Sequence, residues 1–196
     1  VYSDLPALAA GLKANGLTMT SGHFGLDQLE NETDKVLEIA KAAGMKYTVL
    51  TSKHHDGYTL FNSKTPYSSK NDVTGSTNIS PAGRDLVAEY AKSVRGQGLK
   101  VGYYYSLIDW QHPHAMEHTR KWPIAPGTDH SQYLDYMHQH MKQLFTDYGK
   151  IDILWVDYSN AQYQGSTWQT KEILTQLYKL QPEALVNNRF WNGHQN

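Results

Sequence analysis

A length of 196 residues, with 39% hydrophobic and 19% charged side chains, suits one domain with a sizeable core and excludes an intrinsically disordered chain. The formal net charge of −1 gives no electrostatic reason to expect nucleic acid or a membrane as partner, and it leaves homo-oligomerisation open. The absence of cysteine excludes disulfides and thiolate metal sites.

Apolar periodicity predicts helices and short strands that alternate along the chain. Continuous β-branched and aromatic runs are typical of parallel strands covered on both faces, and apolar residues spaced by three or four positions predict helices. In chain order the predicted elements are a fifth strand candidate over 17–20, a helix over 33–43, a strand over 46–51, a helix over 85–95, a strand over 99–105, a helix over 132–148, a strand over 151–157, a helix over 170–180 and a strand over 184–188.

This alternation predicts an α/β fold with parallel strands and right-handed crossovers, which both a doubly wound sheet and a barrel satisfy. The turn His54-His55-Asp56-Gly57 has one glycine where a dinucleotide fingerprint needs three. Polar side chains follow every strand, as on the upper face of a (β/α) barrel of TIM type. We therefore predict a single, partial barrel domain over residues 1–196. It is partial because an eight-stranded barrel takes roughly 250 residues, and only four to five strands are visible.

Asp157 is the first candidate for chemistry. It ends a strand whose preceding residues 153–156 are all apolar, and a carboxylate at the lip of such a strand can act as a nucleophile or general base. The alternative is a helix N-cap, because aspartate is favoured at a βα junction.

Two groups of histidines follow predicted strands. His54 and His55 follow the strand over 46–51, where alternation lets at most one of them point into a barrel, and both imidazole rings can donate hydrogen bonds to hydroxyl groups of a ligand. His112, His114 and His118 form a second group, whose spacing alone is a poor metal signal without carboxylate or cysteine support. We expect no metal site and no cofactor.

Aromatic and cationic side chains complete the predicted site. Alternation allows Tyr105, at the end of its strand, to reach the site, and Trp110 and Trp122 are candidates for a stacking platform at its mouth. Arg189 follows the last strand, where it can hold the Asp157 carboxylate in its ionised form, or lie in a surface ion pair.

Taken together, the segments 40–58 (AKAAGMKYTVLTSKHHDGY), 83–110, 148–157 (YGKIDILWVD) and 181–189 (QPEALVNNR) resemble the α-L-fucosidases of glycoside hydrolase family 29. The resemblance implies a retaining exo-glycosidase that removes terminal α-L-fucose from glycans or glycosides through a covalent glycosyl-enzyme. It implies Asp157 as the nucleophile. It also implies that His54, His55, Tyr105, Trp155 and Arg189 line the fucose pocket.

The chain departs from the family pattern in two places. Nothing before Thr33 matches the IHWG-like segment, whose nearest candidate is Ser21-Gly22-His23-Phe24-Gly25. No carboxylate is a convincing acid/base, although Asp72, Asp109 and Glu183 are available. Two alternatives therefore stay open, namely a non-catalytic fucose-binding module and a glycosidase for another sugar. The compartment stays open too, because Val1 opens no recognisable signal peptide, as in a mature secreted protein.

Overall fold

The computed structural model describes residues 5–17, 26–65, 84–115 and 127–191. Along the chain its elements are α1 (Leu5–Ala14), α2 (Leu26–Ala42), β1 (Tyr47–Lys53), α3 (Leu86–Gly96), β2 (Lys100–Ser106), α4 (His130–Asp147), β3 (Ile153–Asp157), a 3-10 helix (Gly165–Trp168), α5 (Thr170–Leu180) and β4 (Leu185–Val186).

The four strands form one parallel sheet in the order β1-β2-β3-β4, with α3, α4 and α5 as the crossovers. The predicted α/β alternation is confirmed, including all four main strands and the four predicted helices. Helix α1 was not predicted from the sequence. Leu17 lies outside any strand, and residues 18–20 of the fifth strand candidate lie outside the described residues.

Within the described ranges the sheet is open, with β1 and β4 as its outermost strands, so these residues alone do not form a barrel. No helix in this part of the chain is long and apolar enough to span a bilayer.

The two faces of the sheet have different surroundings. The register pairs Tyr103 with Leu154 and Tyr105 with Val156, and these four side chains are buried under the helices, as is Leu50 of β1. The alternate positions form the second face, where Trp155 is 43% exposed. We call these the helix-covered face and the second face.

Local signals in the sequence position the crossovers. Asp85 caps α3 by accepting a hydrogen bond from the Ala88 amide at 2.9 Å, and its other carboxylate oxygen accepts one from the Tyr148 hydroxyl at 2.8 Å. Gly98 and Gly149 have φ values of +71° and +77°, which turn the chain from α3 and α4 toward the following strands. All four strands therefore begin along one edge of the sheet, and their carboxyl ends lie along the opposite edge.

Candidate active site

Asp157 is the last residue of β3 and lies on the second face with Trp155. Its Oδ1 accepts hydrogen bonds from Arg189 Nε at 2.9 Å, from a second guanidinium nitrogen of Arg189, and from the Tyr158 amide at 2.8 Å. Its Oδ2 accepts one bond, from the Tyr104 hydroxyl at 3.3 Å. The carboxylate is therefore oriented through both oxygens, with more donors on Oδ1 than on Oδ2.

The alternative role of Asp157 as a helix N-cap is wrong. The next helical segments begin at Gly165 and Thr170, and their N-cap residues are Gln164 and Gln169. Instead the chain turns sharply after Asp157, since Tyr158 has a φ of 84°. A positive φ is uncommon for a residue with a bulky side chain, and such strain often accompanies functional sites.

His54 and His55 lie together above the ends of β1 and β2. Their ring centroids are 3.5 Å apart, and the His54 ring lies 5.8 Å from that of Tyr104. The His55 ring lies 4.0 Å from Trp110, edge to face, and 5.1 Å from Tyr158. The expectation from strand alternation does not apply, because β1 ends at Lys53 and both histidines belong to the following turn.

The protonation of His55 follows from these neighbours. Burial lowers the pKa of His55, and the adjacent His54 lowers it further, so the neutral imidazole is favoured. Among the described residues, His55 Nδ1 is buried and has no hydrogen-bond partner. Buried polar atoms without a partner are rare in folded proteins, and an imidazole nitrogen of this kind retains capacity to bond a ligand hydroxyl.

A buried ion pair lies beneath the histidine turn. Lys53 Nζ is 3.3 Å from Asp109 Oδ2, and both side chains are almost completely inaccessible. Burial lowers the pKa of Lys53, while the charge of Asp109 opposes this shift. Asp109 is thus committed to a buried pair, which removes it as an acid/base candidate. Glu183 is removed as well, because it pairs with Lys150 near the start of β3, at the opposite edge of the sheet.

The prediction that Tyr105 reaches the site needs correction. Its side chain is fully buried on the helix-covered face, where its hydroxyl hydrogen-bonds His140 Nδ1 at 3.0 Å. The register pairs Ser106 with Asp157, and Tyr104 lies two positions before Ser106 on β2. Tyr104, rather than Tyr105, therefore shares a face of the sheet with Asp157. The sequence alone did not reveal this choice, because the pairing of Ser106 with Asp157 is known only from the structure.

Of the second histidine group, His112 belongs to the core. His112 is buried against Tyr133 and Tyr136, and burial lowers its pKa to about 3. No group of three possible metal ligands occurs in the described part of the chain. His118, Trp122, Asp72 and the segment 21–25 lie outside the described residues.

The geometry thus brings most of the predicted site residues together at the carboxyl ends of the strands, and it adds Tyr104 to them. These residues are Asp157, Arg189, His54, His55, Trp110 and Trp155. A family model described as Alpha-L-fucosidase matches residues 27–196. The chain belongs to the alpha-L-fucosidase family.

Named relatives agree with this assignment. The chain is 34% identical over 158 residues to an alpha-L-fucosidase of Dictyostelium discoideum, covering 78% of this chain and 32% of that protein. Among solved structures, alpha-L-fucosidase isoenzyme 1 from Paenibacillus thiaminolyticus is similar with a TM-score of 0.67 and 41% identity, covering 80% of this chain and 38% of that one. Alpha-L-fucosidase AlfC from Lactobacillus casei, in complex with alpha-L-fucose product, is similar with a TM-score of 0.63 and 29% identity, covering 83% and 53%. The chain spans about a third of the length of the curated relatives that it matches.

Proposed function

We propose that this chain carries the nucleophile half of a retaining exo-α-L-fucosidase site, which hydrolyses terminal α-L-fucose through a covalent glycosyl-enzyme on Asp157. The observation that carries the proposal is the Asp157 carboxylate, held by Arg189 and Tyr104 beside a pair of histidines and two tryptophans. Family membership and the fucose complex of the Lactobacillus casei relative support the choice of sugar.

The arrangement of donors around Asp157 supports a role for each carboxylate oxygen. Arg189 and the Tyr158 amide stabilise negative charge on Oδ1, whereas Oδ2 has a single, long hydrogen bond from the described residues. Oδ2 is therefore the attacking atom. It forms a bond to the anomeric carbon as the glycosidic C–O bond breaks, and the leaving oxygen takes a proton from an acid. Water then cleaves the ester, and fucose leaves with its original anomeric configuration.

The remaining side chains suit a deoxy sugar. His54 and His55 present imidazole nitrogens for hydroxyl groups, and Tyr104 takes the place that was predicted for Tyr105. Trp155 and Trp110 offer aromatic surface to the methyl group and the apolar face of fucose. Such burial contributes on the order of 1–3 kcal/mol.

We also propose that β1 to β4 are consecutive strands of a TIM-type barrel within one domain. In this arrangement the helix-covered face is the outer layer and the second face points inward. Two features support it. The polar candidates follow the carboxyl ends of the strands, where barrel enzymes place their sites, and the second face carries the large apolar side chain of Trp155.

The test of the function is hydrolysis of a panel of 4-nitrophenyl glycosides by the purified chain, followed by NMR of the first sugar product. We expect cleavage of the α-L-fucoside alone, with α-L-fucose formed first. Cleavage of another glycoside instead would identify a glycosidase with different sugar specificity. Binding of L-fucose without cleavage of any glycoside would identify a fucose-binding module and would contradict the enzyme proposal.

Replacing Arg189 with methionine tests the support of the nucleophile. The variant loses both guanidinium donors to Asp157 Oδ1 and keeps the Tyr158 amide, and hydrogen bonds to charged groups contribute about 1.5–3 kcal/mol. We therefore expect kcat/KM for the aryl fucoside to fall about 10- to 100-fold, measured by release of nitrophenol. Lys150→Met is the matched control, since it breaks the ion pair with Glu183 near the opposite edge of the sheet. Equal losses in both variants would contradict a specific role for Arg189.

A further inference from the structure

The buried Lys53–Asp109 pair binds the backbone of the loop that follows β2. Lys53 Nζ donates hydrogen bonds to the carbonyl oxygens of Ser106 at 3.3 Å and Ile108 at 2.9 Å. Asp109 Oδ1 accepts hydrogen bonds from the amides of Gln111 and His112, each at 2.9 Å. The pair therefore fixes residues 106–112 at several points of the backbone.

The same pair also determines the path of the histidine turn. A register shift between Thr51 and Lys53 turns the Lys53 side chain onto the helix-covered face, where its Nζ lies 4.9 Å above the Tyr105 ring. Gly57 has a φ of +89°, and a Cβ atom built at this residue would lie 2.5 Å from Asp109 Oδ1. The turn thus lies directly against the carboxylate, in a place that only glycine permits.

The two loops meet at the edge of the candidate site. The Trp110 amide donates a hydrogen bond to the His55 carbonyl oxygen at 2.7 Å, and the two rings are 4.0 Å apart. Trp110 directly follows Asp109, and His55 is two residues after Lys53. A change in the distance between Lys53 and Asp109 is therefore expected to displace His55 and Trp110.

Stability alone is a poor explanation for such a pair. The desolvation of two buried charges largely offsets their attraction, and apolar replacements of buried pairs are often neutral or stabilising. A pair that bonds two backbone carbonyls and two amides has a further effect, because it restricts the loop to one geometry. Substrate-binding side chains require this restriction, since a misplacement of 1 Å can cost about 100-fold in rate.

We propose that Lys53 and Asp109 are positioning residues, which hold His55 and Trp110 in register as one wall of the sugar-binding site. The assignment of the wall to a sugar rests on the proposed function. The positioning itself does not, because it concerns the geometry of His55 in the absence of any ligand.

The experiment compares Asp109→Asn and the double variant K53M/D109N with the parent chain. Asp109→Asn keeps a carbonyl oxygen for the loop amides but leaves Lys53 without its counter-charge. The double variant removes both charges, so it has no unpaired buried charge and remains informative if Asp109→Asn fails to fold. Thr48→Val is the matched control, because it removes a partly buried hydrogen bond to Tyr90 from the same strand, far along it from the two loops.

Two readouts separate positioning from stability, both taken well below the unfolding temperature. The first is the imidazole NMR signal of His55, assigned by its loss in His55→Gln. The second is the separate measurement of KM and kcat for 4-nitrophenyl α-L-fucoside. We expect both Asp109 variants to shift the His55 signal and to raise KM about tenfold or more, with a smaller change in kcat, because a binding wall acts on ground state and transition state alike. Thr48→Val should change neither.

Unchanged His55 signals in the folded Asp109 variants would overturn the proposal, as would equal shifts in Thr48→Val. If the parent chain neither binds nor cleaves fucosides, the proposed function fails. The His55 signal then still decides the positioning role.

Discussion

Replacing Asp157 with glycine is expected to abolish hydrolysis of aryl α-L-fucosides while the chain stays folded. Removal of the nucleophile of a serine protease costs roughly 10⁶-fold in kcat, because the covalent intermediate can no longer form. The fold should persist, since Asp157 ends its strand and its main partner, Arg189, has a side chain that is 57% exposed and can be solvated by water. The measurement is nitrophenol release, with circular dichroism as the check on folding.

Sodium azide provides a second, chemical test of the same variant. Azide fits the space left by the carboxylate and attacks the anomeric carbon from the side that Asp157 occupied. An activated aryl leaving group departs with little need for protonation, so the expected product is β-fucosyl azide. Asp135→Ala is the control, because Asp135 is an exposed carboxylate on α4. Near-full activity of Asp157→Gly, or an azide product of α configuration, would contradict Asp157 as the nucleophile.

Acid is expected to destabilise the chain strongly between pH 8 and pH 5. Burial lowers the pKa of His112 to about 3 and that of His140 well below its ordinary value of 6.5, so both are neutral in the folded state. The unfolded chain binds protons below pH 6.5 while the folded chain does not, so stability is full above the unfolded pKa and falls as pH decreases. His112 alone should cost about 2 kcal/mol at pH 5, which is a sizeable part of a typical domain stability of about 5–15 kcal/mol. His140 adds to this loss in the same direction.

Urea unfolding at several pH values measures this effect. His140→Gln should flatten the pH dependence, although it also weakens the hydrogen bonds between His140 and the hydroxyls of Tyr105 and Ser63 and so lowers stability at pH 8. His138→Gln is the control on the same helix, because His138 is only half-buried. A parent chain with equal stability at pH 8 and pH 5 would contradict the neutral, buried state of these histidines.

The sequence was sufficient to predict those features of the fold and the site that depend on local patterns. Apolar runs located the four main strands, and the polar residues at their ends identified Asp157, Arg189 and the histidine pair, which the fold brings together. Pairing between strands was harder to predict. The choice between Tyr104 and Tyr105 depends on which of them shares a face with Asp157, and three consecutive tyrosines carry no alternation of polarity that would reveal it.

The Lys53–Asp109 pair could not be predicted for a similar reason. Lys53 turns onto the helix-covered face because of a register shift, and its partner lies 56 positions further along the chain. From the sequence alone, a lysine beside two histidines is predicted to be exposed, since buried lysines are rare. The role of Gly57 also becomes visible only once Asp109 is placed beside it.

The run of three tyrosines gives β2 and β3 unequal tolerance to insertions and deletions. If β2 slipped by one residue, Tyr103 or Tyr105 would replace Tyr104 with the same phenol group, so the contact at Asp157 Oδ2 would keep its chemistry. An equal slip in β3 would place Val156 or Tyr158 where the carboxylate now lies, and Asp157 would enter the layer beneath the helices. Length changes within β3 should therefore be far more damaging to the site than length changes within β2.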